Sequence, residues 1–461
     1  MIIRVPALIL RGLVFSFFVV STAVSASEYS LGKTVKLRSS YSDNFGLSAN
    51  KKDERYGTTG ALSLDLSRIT EVSQFSGALL LEVNSYNIKS YNTFDQRANF
   101  NYTRANKRGS WGFGGTYDSD SISSYDVTEQ SFDIDSQIDT RVISQSFSAN
   151  WNRQLNEKNL LAVNASLTDV DYESVFRGDY RYGQSNFLWQ YFLTDRIRFQ
   201  ANVTYSVFDP DNRSSFAVSP LFIDEIKALN LPASQEEALI ENATIGFCQV
   251  TIIGAPWPCA EIFEADNRRG TLNWKLGIYY ALTERLTLDA LYGRSSVRSK
   301  LVKTYINLPS QSGGDGPRTE SEIKDDDDGV VYQASLRYSG ERFRSTLSAS
   351  RNNENVNSNS QLSLNTKVAL DTRFRLNRYH TVSSGIEWYR QENSGFSNAE
   401  FSDRDIASAK LSYKFEIFTD WSLISVYRLK YLSLARQTSH SLGNEIVFSI
   451  RWLPNRVSWS R

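Results

Sequence analysis

The chain has 461 residues, 41% hydrophobic and 13% aromatic, with 51 basic residues against 51 acidic ones. That balance lacks the basic excess of a nucleic-acid binder, and a mean hydropathy of −0.39 excludes a bundle of membrane helices. Two histidines and two cysteines leave little from which to build a metal centre.

The one continuous apolar run is the first, MIIRVPALILRGLVFSFFVVSTAVSA. Arg4 and Arg11 supply positive charge, Leu13–Val20 is an apolar core, and Val24-Ser25-Ala26 offers the small side chains a signal peptidase needs. Residues 1–26 therefore read as a cleaved signal peptide and 27–461 as the mature chain.

From Lys33 onward one pattern repeats. In IRFQANVTYSV (197–207) apolar or aromatic Ile197, Phe199, Ala201, Val203, Tyr205 and Val207 alternate with polar residues. The same period recurs at Phe75–Val83, Trp111–Tyr117, Leu161–Leu167, Leu272–Tyr280, Ala409–Phe415 and Ile446–Trp452. Period 2 puts alternate side chains on opposite faces of a strand. The runs are about 10–13 residues long, against about 5–6 in soluble sheets, and that length suits a tilted strand crossing a bilayer.

The connections alternate as well. TEVSQ (70–74), ANKRG (105–109), LNEKN (155–159), TD (194–195), TE (283–284), SGE (339–341) and FTD (418–420) are short. Between them lie longer segments at 45–55, 119–140, 173–180, 209–268, 296–328 and 392–402. Short turns at one end and long loops at the other are the topology of an outer-membrane barrel. The expected fold is all-β: one transmembrane antiparallel up-and-down barrel of about 16–18 strands, the uncertain pair being Ser360–Leu370 and Thr381–Gln391. Tyr41, Tyr86, Tyr117, Tyr172, Phe208 and Tyr292 mark one expected aromatic girdle, and Trp151, Trp189, Trp421 and Trp452 the other. The expected location is the outer membrane of a Gram-negative bacterium, in contact with its lipid and lipopolysaccharide and inserted by the barrel-assembly machinery.

If the apolar face meets lipid, the other lines the lumen. Candidate basic lining residues are Arg97, Arg198, Lys275, Arg337, Arg344, Lys410, Lys414 and Arg428. Acidic Glu82 and Asp289 join them, with Tyr279 and Tyr389 as inward aromatics. With the other inward residues, Arg342, Glu387, Glu416 and Glu445 among them, bases outnumber acids by roughly two to one on this face, which fits either a preference for anionic solutes or ordinary salt-bridge ladders. External segment 209–268 carries Cys248 and Cys259, expected to form a disulfide in an oxidising compartment, and either narrows the pore or caps it. External segment 296–328 holds the run KDDDD (324–328), either a divalent-cation or lipopolysaccharide contact or a solvated loop tip.

Catalysis is the competing class. His380 and His440 fall near opposite ends of the barrel, without a partner acid at recognisable spacing. No GxSxG, HExxH or glycine-rich phosphate loop appears. The reading is a non-enzyme without cofactors.

The segment SSYSDNFGLSANKKDERYGTTGALSLDLSRITEVSQFSGALLLEVNSYN (39–87), with its Tyr41-Ser42-Asp43-Asn44 step, resembles the first strands of the β-barrel porins found with exopolysaccharide gene clusters. NWNRQLNEKNLLAVNASLTDVDYES (150–174) is similar to their strand–turn–strand style. The resemblance implies an outer-membrane pore for a secreted polysaccharide, working with a periplasmic polysaccharide-export protein. Two stretches depart from the family: the cysteine-bearing loop, and a final WLPNRVSWSR in which Trp459 stands where a terminal aromatic is usual. The alternatives are a general or substrate-selective diffusion porin and a structural or adhesive surface barrel.

Overall fold

The computed structural model describes residues 27–45, 47, 54–89, 92–122, 140–173, 179–210, 214–218, 259–265, 268–307, 318–355, 362–394, 404–434 and 440–460. The leader 1–26, Cys248 and residues 219–258 lie outside them.

The described chain is strand and turn. The first nine strands are β1 (Ser27–Ser42), β2 (Arg55–Thr70), β3 (Ser73–Tyr86), β4 (Thr93–Asn106), β5 (Gly109–Ile122), β6 (Thr140–Asn156), β7 (Asn159–Tyr172), β8 (Tyr180–Phe192) and β9 (Ile197–Pro210). Two short strands follow, β10 (Ser214–Val218) and β11 (Cys259–Ala265). Then come β12 (Arg269–Ala281), β13 (Leu286–Asn307), β14 (Arg318–Ser339), β15 (Phe343–Asn355), β16 (Leu362–Arg375), β17 (His380–Ser394), β18 (Arg404–Glu416), β19 (Trp421–Leu434) and β20 (His440–Trp452). A last strand, β21 (Val457–Ser460), pairs with the first residues of β1.

Each barrel strand pairs antiparallel with its neighbours, β9 pairs with β12, and β1 pairs with β20. The ring therefore closes at 18 strands, with β10 and β11 as an insertion. Paired residues followed once round return to β1 about 22 positions further along. With about 4.8 Å between strands and about 3.3 Å per residue, that shear tilts the strands about 40° and sets a backbone radius of about 18 Å. Closure gives each strand edge a partner, which is what a sheet needs in lipid.

The two faces separate as the alternation requires. Leu37, Leu276, Tyr292, Ile386 and Phe448 are exposed large apolar residues, Leu276 at 59% and Tyr292 at 64%. They belong to a continuous outward band, far beyond the apolar patch a soluble chain tolerates. Among the described residues no helix is long and apolar enough to cross a membrane; here the strands cross. Trp421 and Trp452 pack at 6.1 Å on the short-turn rim, where Trp151 and Trp189 are also exposed. This is an outer-membrane β-barrel, with its short turns in the periplasm.

The turns show why they are tight. Thr194 Oγ1 accepts hydrogen bonds from the backbone N–H of Arg196 and Ile197, at 3.2 and 3.0 Å. Thr283 Oγ1 does the same for Arg285 and Leu286, at 3.2 and 3.0 Å. A short side chain that satisfies the reversing backbone fixes a turn of this kind.

Several expectations change. Residues 296–307 and 318–328, read as loop, are strand: β13 and β14 continue as a 22-residue pair, so KDDDD lies in a ladder opposite Ser296–Lys300 and not at a loop tip. Above the lipid a strand needs no apolar face, so the alternation that betrays it fades. Segment 209–268 contains β10 and β11, and β11 pairs with Val302–Asn307 of β13. Strand β16 continues past Leu370 to Arg375. Tyr172 and Phe208 sit on the inward parity, packing with Tyr180 at the outer end (6.3 Å for Tyr172–Tyr180, 5.1 Å for Tyr180–Phe208), and Tyr86 is stacked by Arg55. Of the expected outer girdle, Tyr41 and Tyr292 are large exposed outward residues.

Candidate functional site: the lumen wall

The inward face is polar and cross-linked. Arg38 donates to Thr59 Oγ1 at 3.2 Å and pairs with Glu82 at 3.4 Å. Thr59 donates to Asn84 at 2.7 Å, Asn84 to Asp95 at 2.8 Å, and Ser121 Oγ to Asp95 at 3.0 Å. One ladder thus ties the inner surfaces of β1 to β5. Arg97 pairs with Asp118 at 2.6 Å. Further round, Gln190 donates to Gln200 at 3.4 Å and Gln200 to Asp289 at 3.2 Å. Lys275 reaches along the wall to Asn352 at 2.6 Å.

Three further inward carboxylates are also held. Glu387 pairs with Lys367 at 3.2 Å, Glu416 with Lys414 at 2.7 Å and Glu445 with Arg428 at 2.9 Å. Lys410 stands between Gly385 and Arg428 in the ladder. Arg198 lies between two rings, its Cζ 4.8 Å from the centroid of Phe192 and 4.9 Å from that of Tyr279. Tyr279 is therefore on the lumen wall with a cation on one face. Tyr389 is not free to stack on a ligand: it is buried with Leu47, Ile406 and Leu432. Cys259 opens β11, while its expected partner lies outside the described residues.

That apolar cluster reveals a feature the sequence concealed. The connection after β1 turns inward, placing Leu47 against the inner surfaces of distant strands β17 to β19, and Phe45 is buried as well. Leu47 adopts a φ of 46°, the left-handed region that bulky residues avoid. The Arg55 guanidinium sits 3.4 Å over the Phe45 ring and 4.1 Å over Tyr86. Leu47 and Phe45 are thus buried beside the inner wall near its outer end.

The histidines are structural neighbours of aromatic rings. His380 Nδ1 meets the Tyr413 hydroxyl at 2.6 Å and stacks on Phe415 at 4.7 Å. His440 packs on Tyr431 at 5.5 Å, at the other end of the barrel.

At the periplasmic end the arginines of two strands face one another. Arg342-Phe343-Arg344 leads into β15, and Arg373-Phe374-Arg375 ends β16. Arg344 is directly opposite Arg373, and Phe343 opposite Phe374. The backbone N–H of Arg375 donates to the carbonyl of Arg342 at 2.7 Å, continuing the register. Both Phe side chains are exposed on the outward face, so the arginines point into the lumen. Arg342 and Arg344 are legible from alternation; Arg373 and Arg375 are hidden in what reads as a turn. The repeated RFR was the available signal.

No family model matches the chain, and no curated protein sequence matches it. Solved structures with a similar course include the ferric yersiniabactin uptake receptor FyuA from Yersinia pestis, at 10% identity and a TM-score of 0.44 over 92% of this chain and 80% of that one. The ferric-catecholate import receptor Fiu from E. coli K12 gives 8% and 0.45 over 92% and 81%. The toluene transporter TodX from Pseudomonas putida gives 10% and 0.30 over 94% and 90%. None is similar enough to carry a substrate across to this chain.

Proposed function

We propose that this barrel is an outer-membrane pore through which a secreted polysaccharide leaves the cell. The supporting observation is the lumen wall: a ring of about 18 Å radius lined by hydrogen-bonded amides, hydroxyls and ion pairs. A wide hole with such a lining passes a hydrated chain without chemistry, and rings of this size keep an aqueous lumen. Sugars exchange hydrogen bonds with water and with Asn, Gln, Ser and Thr on similar terms, so a polymer slides without a deep trap.

The polymer rests on the resemblance of 39–87 and 150–174 to porins of exopolysaccharide clusters. Direction would come from a periplasmic export protein docked at the short-turn end, and the outward band would sit in lipid and lipopolysaccharide. The test is deletion of the gene, with polymer assayed separately at the cell surface and in the periplasm. Loss from the surface, with unchanged small-solute permeability, is expected. Unchanged surface polymer together with reduced uptake of small solutes would replace this reading with a diffusion porin.

A further inference from the structure

We infer that the four arginines Arg342, Arg344, Arg373 and Arg375 form a binding site for an acidic saccharide at the periplasmic mouth of the lumen. The inference rests on the pore reading and gives its cargo a charge.

Like charges placed directly opposite in a sheet destabilise it. Here two such pairs are stacked, Arg342 with Arg375 and Arg344 with Arg373. Elsewhere on the lumen wall several bases are matched to acids, as in Arg38–Glu82, Arg97–Asp118, Lys367–Glu387 and Arg428–Glu445, and where Lys410 faces Arg428 the latter is paired with Glu445. Among the described residues none of these four guanidinium groups has an ion-pair or hydrogen-bond partner. The nearest inward carboxylate in the ladder is Asp371, two residues before Arg373 and opposite Thr346 and Gly385. Four bases of the lumen thus stand together at the end where an exported chain enters.

The chemistry of the patch selects its ligand. Each guanidinium is a planar fork of donors that meets a carboxylate through two parallel hydrogen bonds. Adjacent residues on one strand face, and their cross-strand partners, stand about 5–7 Å apart, close to the spacing of charged groups on neighbouring sugars. About 20 Å from Arg344 along the wall, three strands across and four residues along, Tyr279 on β12 offers a ring beside the Arg198 guanidinium, a surface on which the apolar face of a sugar can lie. A saccharide of a few residues spans the two. Phe343 and Phe374, on the opposite face, anchor the patch at the membrane interface.

The test uses the full chain, purified in detergent and then inserted into planar bilayers, with oligogalacturonate as probe. Malto-oligosaccharide of equal length supplies the neutral comparison, and polyglutamate a polyanion without sugar. The expected result is single-channel block by oligogalacturonate added on the periplasmic side, at least about tenfold tighter than by the neutral oligomer. The paired substitution Arg344→Gln and Arg373→Gln should remove most of that difference, while Arg344→Lys with Arg373→Lys restores part of it. The single substitution Arg375→Gln reads the same site should the paired variant fail to insert. Equal block by acidic and neutral saccharides, or an unchanged block in the variants, overturns the inference. Block by polyglutamate as tight as by oligogalacturonate also overturns it, and points to an acidic peptide. Titration calorimetry on the solubilised protein separates the two readings: saccharide binding without conductance fells the pore and leaves the site standing.

Discussion

Asp43 and Asn444, 401 residues apart, are joined by two hydrogen bonds: the Asn444 backbone N–H donates to Asp43 Oδ1 at 2.7 Å and its side-chain amide to Oδ2 at 2.8 Å. Asn44 adds a bond from its amide to the carbonyl of Leu442 at 2.9 Å. These contacts fasten the outer end of the β1–β20 seam, where the first strand meets the last and the ring closes. Asp43→Ala removes a charged acceptor from two donors and should cost about 1–3 kcal/mol. Urea unfolding of the detergent-embedded barrel, followed by its gel-mobility shift, measures this. Asn444→Ala in the same background should add only the loss of its exposed bond from the Tyr427 hydroxyl, at 2.7 Å, since its partner Asp43 is already gone; fully additive losses would mean that the two residues act independently.

The same residues show what the sequence makes legible. Tyr41-Ser42-Asp43-Asn44 stands out as a motif, but its role depends on a partner at the far end of the chain, and no local pattern encodes a closure. The strands are a different case. Ile197–Val207 and Leu272–Tyr280 pair in register because lipid on one side and water on the other force each side chain to choose a face. Where that constraint lapses, so does the signal. Residues 296–307 lie above the lipid and read as loop although they are paired strand. Arg373 and Arg375 keep inward parity, but Thr372 on the outward face ends the apolar series two residues before Phe374 restores it. The inward turn of Leu47 is a tertiary contact with Tyr389 and Leu432 and has no local signature.

Polarity of the two faces predicts an asymmetric response to charge. Leu276 is exposed on the outward face of β12, and the cost of an arginine at the bilayer midplane of a barrel is about 2–4 kcal/mol. Leu276→Arg should therefore lose that much folding free energy in lipid vesicles. Ser348→Arg, on the inward face of β15, should stay within about 0.5 kcal/mol, as surface substitutions do. Comparable losses at both sites would contradict the assignment of faces.

Gly293 and Gly60 are both strand glycines, with opposite tolerance. A Cβ at Gly293 would fall against the backbone carbonyl of Trp274, while one at Gly60 meets nothing within 4 Å. Gly293 is also the residue opposite Lys275, whose side chain passes along the wall to Asn352. Gly293→Ala must push β12 and β13 apart and should cost several kcal/mol, lowering the yield of folded barrel. Gly60→Ala should be neutral or slightly stabilising, because a less flexible unfolded chain loses less on folding. Heat-modifiability of the two variants after refolding distinguishes them.

Ion selectivity should follow from releasing paired bases. Glu445 neutralises Arg428 at 2.9 Å, and Lys410 is the cross-strand neighbour of Arg428. Glu445→Gln keeps the side chain's shape and removes its charge, leaving Arg428 and Lys410 as an uncompensated pair on one wall. The reversal potential under a salt gradient should move toward greater anion permeability, by about twofold in the permeability ratio. Arg428→Gln should move it the opposite way, since Glu445 is then unpaired. At 0.1 M salt the screening length is about 10 Å, shorter than the roughly 18 Å radius of the ring, so one charge biases only its own side of the lumen and the effect is modest. At 1 M salt the screening length falls to about 3 Å and both shifts should vanish. A shift that survives high salt would have to come from a change in the shape of the pore, and Glu445 would then hold the wall in place more than it sets the field within it.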